Sequence, residues 1–526
     1  MEINTNIKKN LLIFKITDDK YKINHLEKML SKKFLIFITL LFLNSCKHPI
    51  LYEISTRPWL YELSKKYSKS IKKLKDIPLE EFDYLKDNGI DIVWMMGVWK
   101  LGEYGLEFDK KLDYSSVLPD WTSDDVIGSP YAIYEYTCNP EIGTNDDLVW
   151  LREQLNSRNM KLMLDFVPNH SAVDAPTAKS NPKLYVRAPE GKKDSKRYTD
   201  SGLSYGKDPY FDPWRDVIQW NYWESETRKF MKDNLMTVLS YADGARCDMA
   251  HLILNDVFGK TWDEELKAWG YKKPDNEFWE YAFKEVKAKY PKAILLAEVY
   301  EEWEIELLYK LGFTYTYDKA LLDQLEGSPY DVNNYIHYKT EENFWGHSAH
   351  FVENHDENRA VYNMGNIEKA KAAGTVAATL GGMIFMNHGQ WSGYRNKLDV
   401  HLRRAADEYE DIGVKKYYQR LMNILKDPAF TGTNYYFVYN MSGQKKDDFI
   451  AYIREEGDSH YLVVVNYSDG SGCANVPIYN IEGNGDHTVH EVVDDVEYIR
   501  NVDTIRYEGL TVCLYPWQSQ IFKYNY

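Results

Sequence analysis

The sequence predicts an α/β fold: a (β/α)8 TIM barrel with a small subdomain inserted after the third strand and a C-terminal antiparallel β-sandwich domain. Three observations carry this. Short apolar runs alternate with helical patterns eight times, which is the signature of parallel β/α units that can close into a barrel. The connection over 168–236 is too long to be a structureless loop in a compact domain, so it reads as a subdomain. From about residue 434 the pattern changes to short alternating strands punctuated by Gly, Asp and Asn.

The N-terminal 46 residues stand apart from the fold. Residues 34–43 (FLIFITLLFL) form an apolar run preceded by Lys32 and Lys33. Ten residues are too few to span a bilayer, which needs about twenty. The layout is that of a signal peptide. The following LNSC, ending at Cys46, is similar to the lipobox of bacterial lipoproteins, in which the Cys is lipidated. The expectation is an exported protein anchored in the cell envelope at Cys46. Met29 would give the signal a conventional start, so residues 1–28 are left out of the fold.

The barrel is expected over 47–430. Its strands are read at 51–56, 92–96, 162–167, 242–247, 294–298, 313–317, 350–353 and 383–386, with a helix over 146–158. An open doubly wound sheet is the alternative, but no GxGxxG follows a first strand. The β-domain is expected over 431–526, with strands at 435–439, 449–454, 461–467, 488–493 and 510–515.

Composition narrows the partners. The net charge of −16 disfavours nucleic acid and leaves an anionic membrane unattractive except through a lipid anchor. The 43 Tyr and 15 Trp pack cores, and such rings also stack on the C–H faces of sugars. The five Cys (46, 138, 247, 473, 513) show no zinc spacing, and their wide separation defines no disulfide framework.

The chemistry sits at strand ends. Asp248, Glu298 and Asp356 each fall at the predicted C-terminal end of a different barrel strand, where such barrels place their active sites. An Asp there also serves as a helix N-cap. Three converging carboxylates, however, repel one another and need a function to keep them. Glycoside hydrolysis needs such a set, with one carboxylate to attack the anomeric carbon and another to protonate the leaving oxygen. Arg246, two residues before Asp248, would keep it ionised.

In this order the motifs are recognisable. DFVPNH (165–170), GARCDMAH (244–251), AEVY (297–300) and FVENHD (351–356) resemble the four signatures of the α-amylase family, glycoside hydrolase family 13. The resemblance runs from about residue 51 to the C-terminus, where LYPWQ (514–518) is similar to the close of that family's β-domain. It implies a retaining glycosidase acting on starch, glycogen or maltooligosaccharides. Asp248 would be the nucleophile and Glu298 the acid/base. Asp356 would hold sugar hydroxyls, Arg246 would orient Asp248, and Asp165 would hold the site together. His170 and His355 would bond hydroxyls of the −1 sugar, and Tyr131 would lie under it. No cofactor is required by this chemistry. The family's structural Ca²⁺ is implied only at Asn169, since His251 follows Asp248 by three residues where the calcium-linked His follows by four. Two alternatives remain at this stage: an α-glucan transglycosylase using the same site, and a non-catalytic glucan-binding surface protein.

Overall fold

The computed structural model describes residues 48–341 and 345–524. The signal-like run and Cys46 lie outside them. Eight parallel strands close a barrel. They are β1 (Ile50–Ser55), β2 (Ile92–Met96), β3 (Lys161–Phe166), β4 (Gly244–Cys247), β5 (Ile294–Ala297), β6 (Tyr315–Tyr317), β7 (Ser348–His350) and β8 (Met383–Asn387). β1 pairs with both β2 and β8, which completes the ring. The strands are buried on both faces, so β2 (IVWMM) is buried at every position and reads as a continuous apolar run.

The seventh strand and the insertion depart most from the sequence reading. The seventh strand was expected at 350–353, but pairing with β8 ends at His350. The apolar Phe351 and Val352 are buried as the chain leaves the sheet, and apolar burial without pairing mimics a strand. The insertion was expected to extend to 236, yet the helix Ser225–Tyr241 already packs on β3 and β4 as part of the barrel. The inserted part is a small antiparallel sheet of His170–Ala172, Trp214–Gln219 and Tyr205–Gly206. A further antiparallel pair, Trp99–Leu101 with Ile133–Cys138, leads to Tyr131 and was missed.

The C-terminal domain has a six-stranded antiparallel sheet and a two-stranded one. Phe449, Leu462 and Phe522 of the first share a core with Val476, Val512 and Leu514 of the second. The fully buried Arg454 ties this domain to the chain leaving the barrel by donating to Ala429 O and Gly432 O. The two-stranded sheet corrects the cysteine reading. Cys473 and Cys513 face each other across it and form a disulfide. Their 40-residue separation gives no local signal, because register rather than spacing brings them together. Such bonds persist in oxidising compartments.

Candidate active site

Arg246 organises the barrel mouth. It lies on β4, fully buried, with its guanidinium near the rings of Trp94, Tyr131 and Tyr317. Nη1 donates to Asp248 Oδ1 at 2.7 Å and stands 3.7 Å from Asp165 Oδ1. Nη2 forms an ion pair with Glu298 Oε2 at 2.7 Å. Nε donates to the Tyr317 hydroxyl at 3.2 Å. One cation therefore faces carboxylates from the ends of β3, β4 and β5.

Glu298 is held from two further sides. The Met249 N–H donates to Oε2 at 2.7 Å and the Tyr300 hydroxyl donates to Oε1 at 2.5 Å. Met249 reaches it through a left-handed backbone (φ 39°, ψ 47°), a conformation that costs a non-glycine residue about 1 kcal/mol or more. The strain lies directly after Asp248, where a turn must aim one backbone N–H at the facing carboxylate.

Burial raises Asp248 above the ordinary carboxylate range. Arg246 opposes this and the neighbouring Glu298 adds to it. Burial also lifts Asp165 to about 6 against Arg246 and the Trp94 indole, which donates to it at 3.1 Å. Asp356 goes the other way. Desolvation by the groups crowded around it would raise it, but His355 beside it holds it well below the usual range. Its side chain is 46% exposed, whereas those of Asp248 and Glu298 are 7% and 3% exposed. Asp356 is thus the carboxylate that an incoming molecule meets first.

His355 links this rim to the interior. Nε2 lies 3.0 Å from Asp356 Oδ2 and 2.6 Å from the Tyr131 hydroxyl, and Nδ1 lies 2.5 Å from Glu53 Oε1. The Tyr131 ring packs against the imidazole at 5.5 Å. A cavity of about 460 Å³ adjoins His355 and is walled by Tyr52, Glu62, Arg359, His388 and Lys397, among others.

The structure thus gathers Asp165, Arg246, Asp248, Glu298, Asp356, His355 and Tyr131 into one cluster. His170 stands on the inserted sheet, at its pairing with Gln219. It accepts from the Asn169 amide at 3.3 Å, packs edge-on to Trp214, and is kept neutral by burial, which lowers it to about 3.

The catalytic-domain description of the α-amylase family ("Alpha amylase, catalytic domain") matches residues 74–432. The chain belongs to the α-amylase family. It is a glycoside hydrolase of that family. α-Amylase 2 of Dictyoglomus thermophilum is 23% identical over 450 residues, covering 79% of this chain and 68% of that protein. α-Amylase MalA of Haloarcula japonica is 23% identical over 441 residues, covering 80% of this chain and 58% of its own longer chain. An oligo-1,6-glucosidase of Heyndrickxia coagulans is 23% identical over 447 residues, covering 75% and 72%. The crystal structure of a maltogenic α-amylase from Thermotoga neapolitana superposes with a TM-score of 0.67 at 20% identity, covering 91% of this chain and 99% of that one.

In this α-amylase-family site, four participants escaped the sequence reading: Glu53, Trp94, Tyr300 and Tyr317. Trp94 and Tyr317 lie in apolar strand runs and look like core. Tyr300 closes the AEVY signature two residues after Glu298, but the resemblance assigned it no role. Glu53 carried a usable signal, as a charged residue inside an otherwise apolar strand.

Proposed function

We propose that this enzyme hydrolyses α-glucosidic bonds of maltooligosaccharides and starch-like glucans by a retaining, two-step mechanism. The observation that carries the reading is the shared guanidinium: Asp248 and Glu298 sit on the two arms of one Arg246. Carboxylates so placed are close neighbours, and retaining glycosidases need a short separation of about 5–5.5 Å. Asp248 attacks the anomeric carbon while Glu298 gives its proton to the leaving glycosidic oxygen. The glycosyl–Asp248 ester then reacts with water, which Glu298 deprotonates, releasing the sugar and restoring both groups. Asp356, at the rim with His355 behind it, bonds hydroxyls of the bound sugar, and Tyr131 offers it a ring. The names of the relatives, α-amylases and oligo-1,6-glucosidases, support an α-glucan substrate.

The test is time-resolved product analysis on maltoheptaose. Shorter maltooligosaccharides released with the α-anomer first are the expected result. Products longer than the heptaose would replace hydrolysis by transglycosylation. An unchanged heptaose would end the α-1,4-glucan assignment.

We propose further that Asn169 holds no calcium. The Gln219 amide nitrogen donates to Asn169 Oδ1 at 2.9 Å and Asn169 O at 2.8 Å, and lies 3.3 Å from Trp220 O. An N–H donor fills the place among these oxygens that a cation would need, and Ca²⁺ takes six to eight oxygens. Excess chelator should leave kcat unchanged and move Tm by less than about 2 °C. A loss of activity restored by Ca²⁺ would refute this.

A further inference from the structure

Glu53 is a fully buried carboxylate in the middle of β1, a strand otherwise built of Ile, Leu, Tyr and Ser. A buried charge is retained only with a partner. Its Oε1 meets His355 Nδ1 at 2.5 Å, and its Oε2 is buried with no hydrogen-bond partner among the described residues. No role in the two-step reaction explains it, because it faces the imidazole from the side away from Asp356.

We propose that Glu53 is a positioning residue for the glycosidase reaction, holding His355 so that both ring nitrogens carry protons and Nε2 sits between the Tyr131 hydroxyl and Asp356. The role rests on the hydrolytic reading of the site. The geometry requires it in the following way. Nδ1 faces one carboxylate and Nε2 faces another. A neutral imidazole has one N–H and one lone pair, so it would set a lone pair against a carboxylate on one side or the other. Only the doubly protonated ring satisfies both. Trp94 packs edge-on against the ring at 5.5 Å and leaves it little room to turn away.

The groups around His355 come from several elements. Glu53 on β1, Asp165 on β3 and Asp356 beyond β7 are carboxylates near it. Arg246 on β4 lies near Tyr131 and Asp356, and Lys397 donates to Asp356 O. Tyr131 supplies a hydroxyl. Burial alone would lower His355. Asp356 and Glu53 outweigh it and raise the ring to about 10. The imidazolium is therefore present through neutral pH and lost as the pH rises through that value. Removing the Glu53 charge leaves Asp356 as the one adjacent carboxylate, so the ring should lose its proton at lower pH.

The test uses Glu53→Gln, which keeps an oxygen acceptor for Nδ1 and removes only the charge. In the resting enzyme, without substrate, ¹⁵N NMR of the His355 ring should show an imidazolium up to about pH 9 in the wild type. In Glu53→Gln the titration should fall by at least about one pH unit. On maltoheptaose, the alkaline fall of kcat/KM should move down with it, so the defect stays small from pH 6 to pH 8 and grows to roughly fivefold by pH 10. A defect of equal size at every pH would reduce Glu53 to a packing role and overturn the proposal. A neutral His355 ring at pH 7 in the wild type would overturn it without any variant, which covers a Glu53→Gln protein that does not fold. Because the NMR arm needs no turnover, it separates failure of this proposal from failure of the hydrolytic reading.

Discussion

Asp248→Asn should lower kcat on maltoheptaose by about 10⁴-fold or more, the scale on which loss of a covalent nucleophile acts. The amide has the carboxylate's shape but not its charge, so Arg246 keeps its ion pair with Glu298 and the mouth keeps its form. The substitution also relieves repulsion between two buried carboxylates, since Glu298 is one cause of the upward shift at Asp248. Tm should accordingly hold or rise, as happens when a site kept for function rather than stability is neutralised. Activity within tenfold of the wild type would remove Asp248 from the reaction. The wild-type pH profile is a second check. Asp248 must be ionised to attack, and burial raises it, so kcat/KM should fall with acid already above the ordinary carboxylate range. Because Asp248 and Glu298 interact, this limb belongs to the pair.

Glu298→Gln should cost about 10²- to 10⁴-fold on maltoheptaose, the usual contribution of general acid–base catalysis. The size of the loss should depend on the leaving group. A glycosidic oxygen departs as an alkoxide unless it is protonated, whereas fluoride leaves readily without a proton. With α-maltosyl fluoride, formation of the glycosyl-enzyme should therefore be nearly normal in the variant, and only the later attack of water should be slow. A burst of fluoride followed by slow turnover is the expected trace. Equal losses on both substrates would show that Glu298 does not protonate the leaving oxygen. Its carboxylate would then matter only as a partner of Arg246, Met249 N–H and Tyr300.

The sequence alone determined the eight-stranded barrel, the place of the insertion and the strand ends that carry Asp248 and Glu298. These properties are local. A buried parallel strand must be apolar along its length, and a residue just beyond it must lie at the barrel mouth. Tertiary structure decided what those residues touch. Spacing placed Arg246 beside Asp248, but only closure of the barrel brought Glu298 to the other arm of its guanidinium. Glu53 and His355 are 302 residues apart and meet only because β1 and the end of β7 both open on one mouth. Gln219 reaches Asn169 across the inserted sheet, and Cys473 reaches Cys513 through strand register. Strand ends follow from the periodicity of a short stretch of chain. Partners of buried charges follow from which strands close the ring, and no single stretch contains that information.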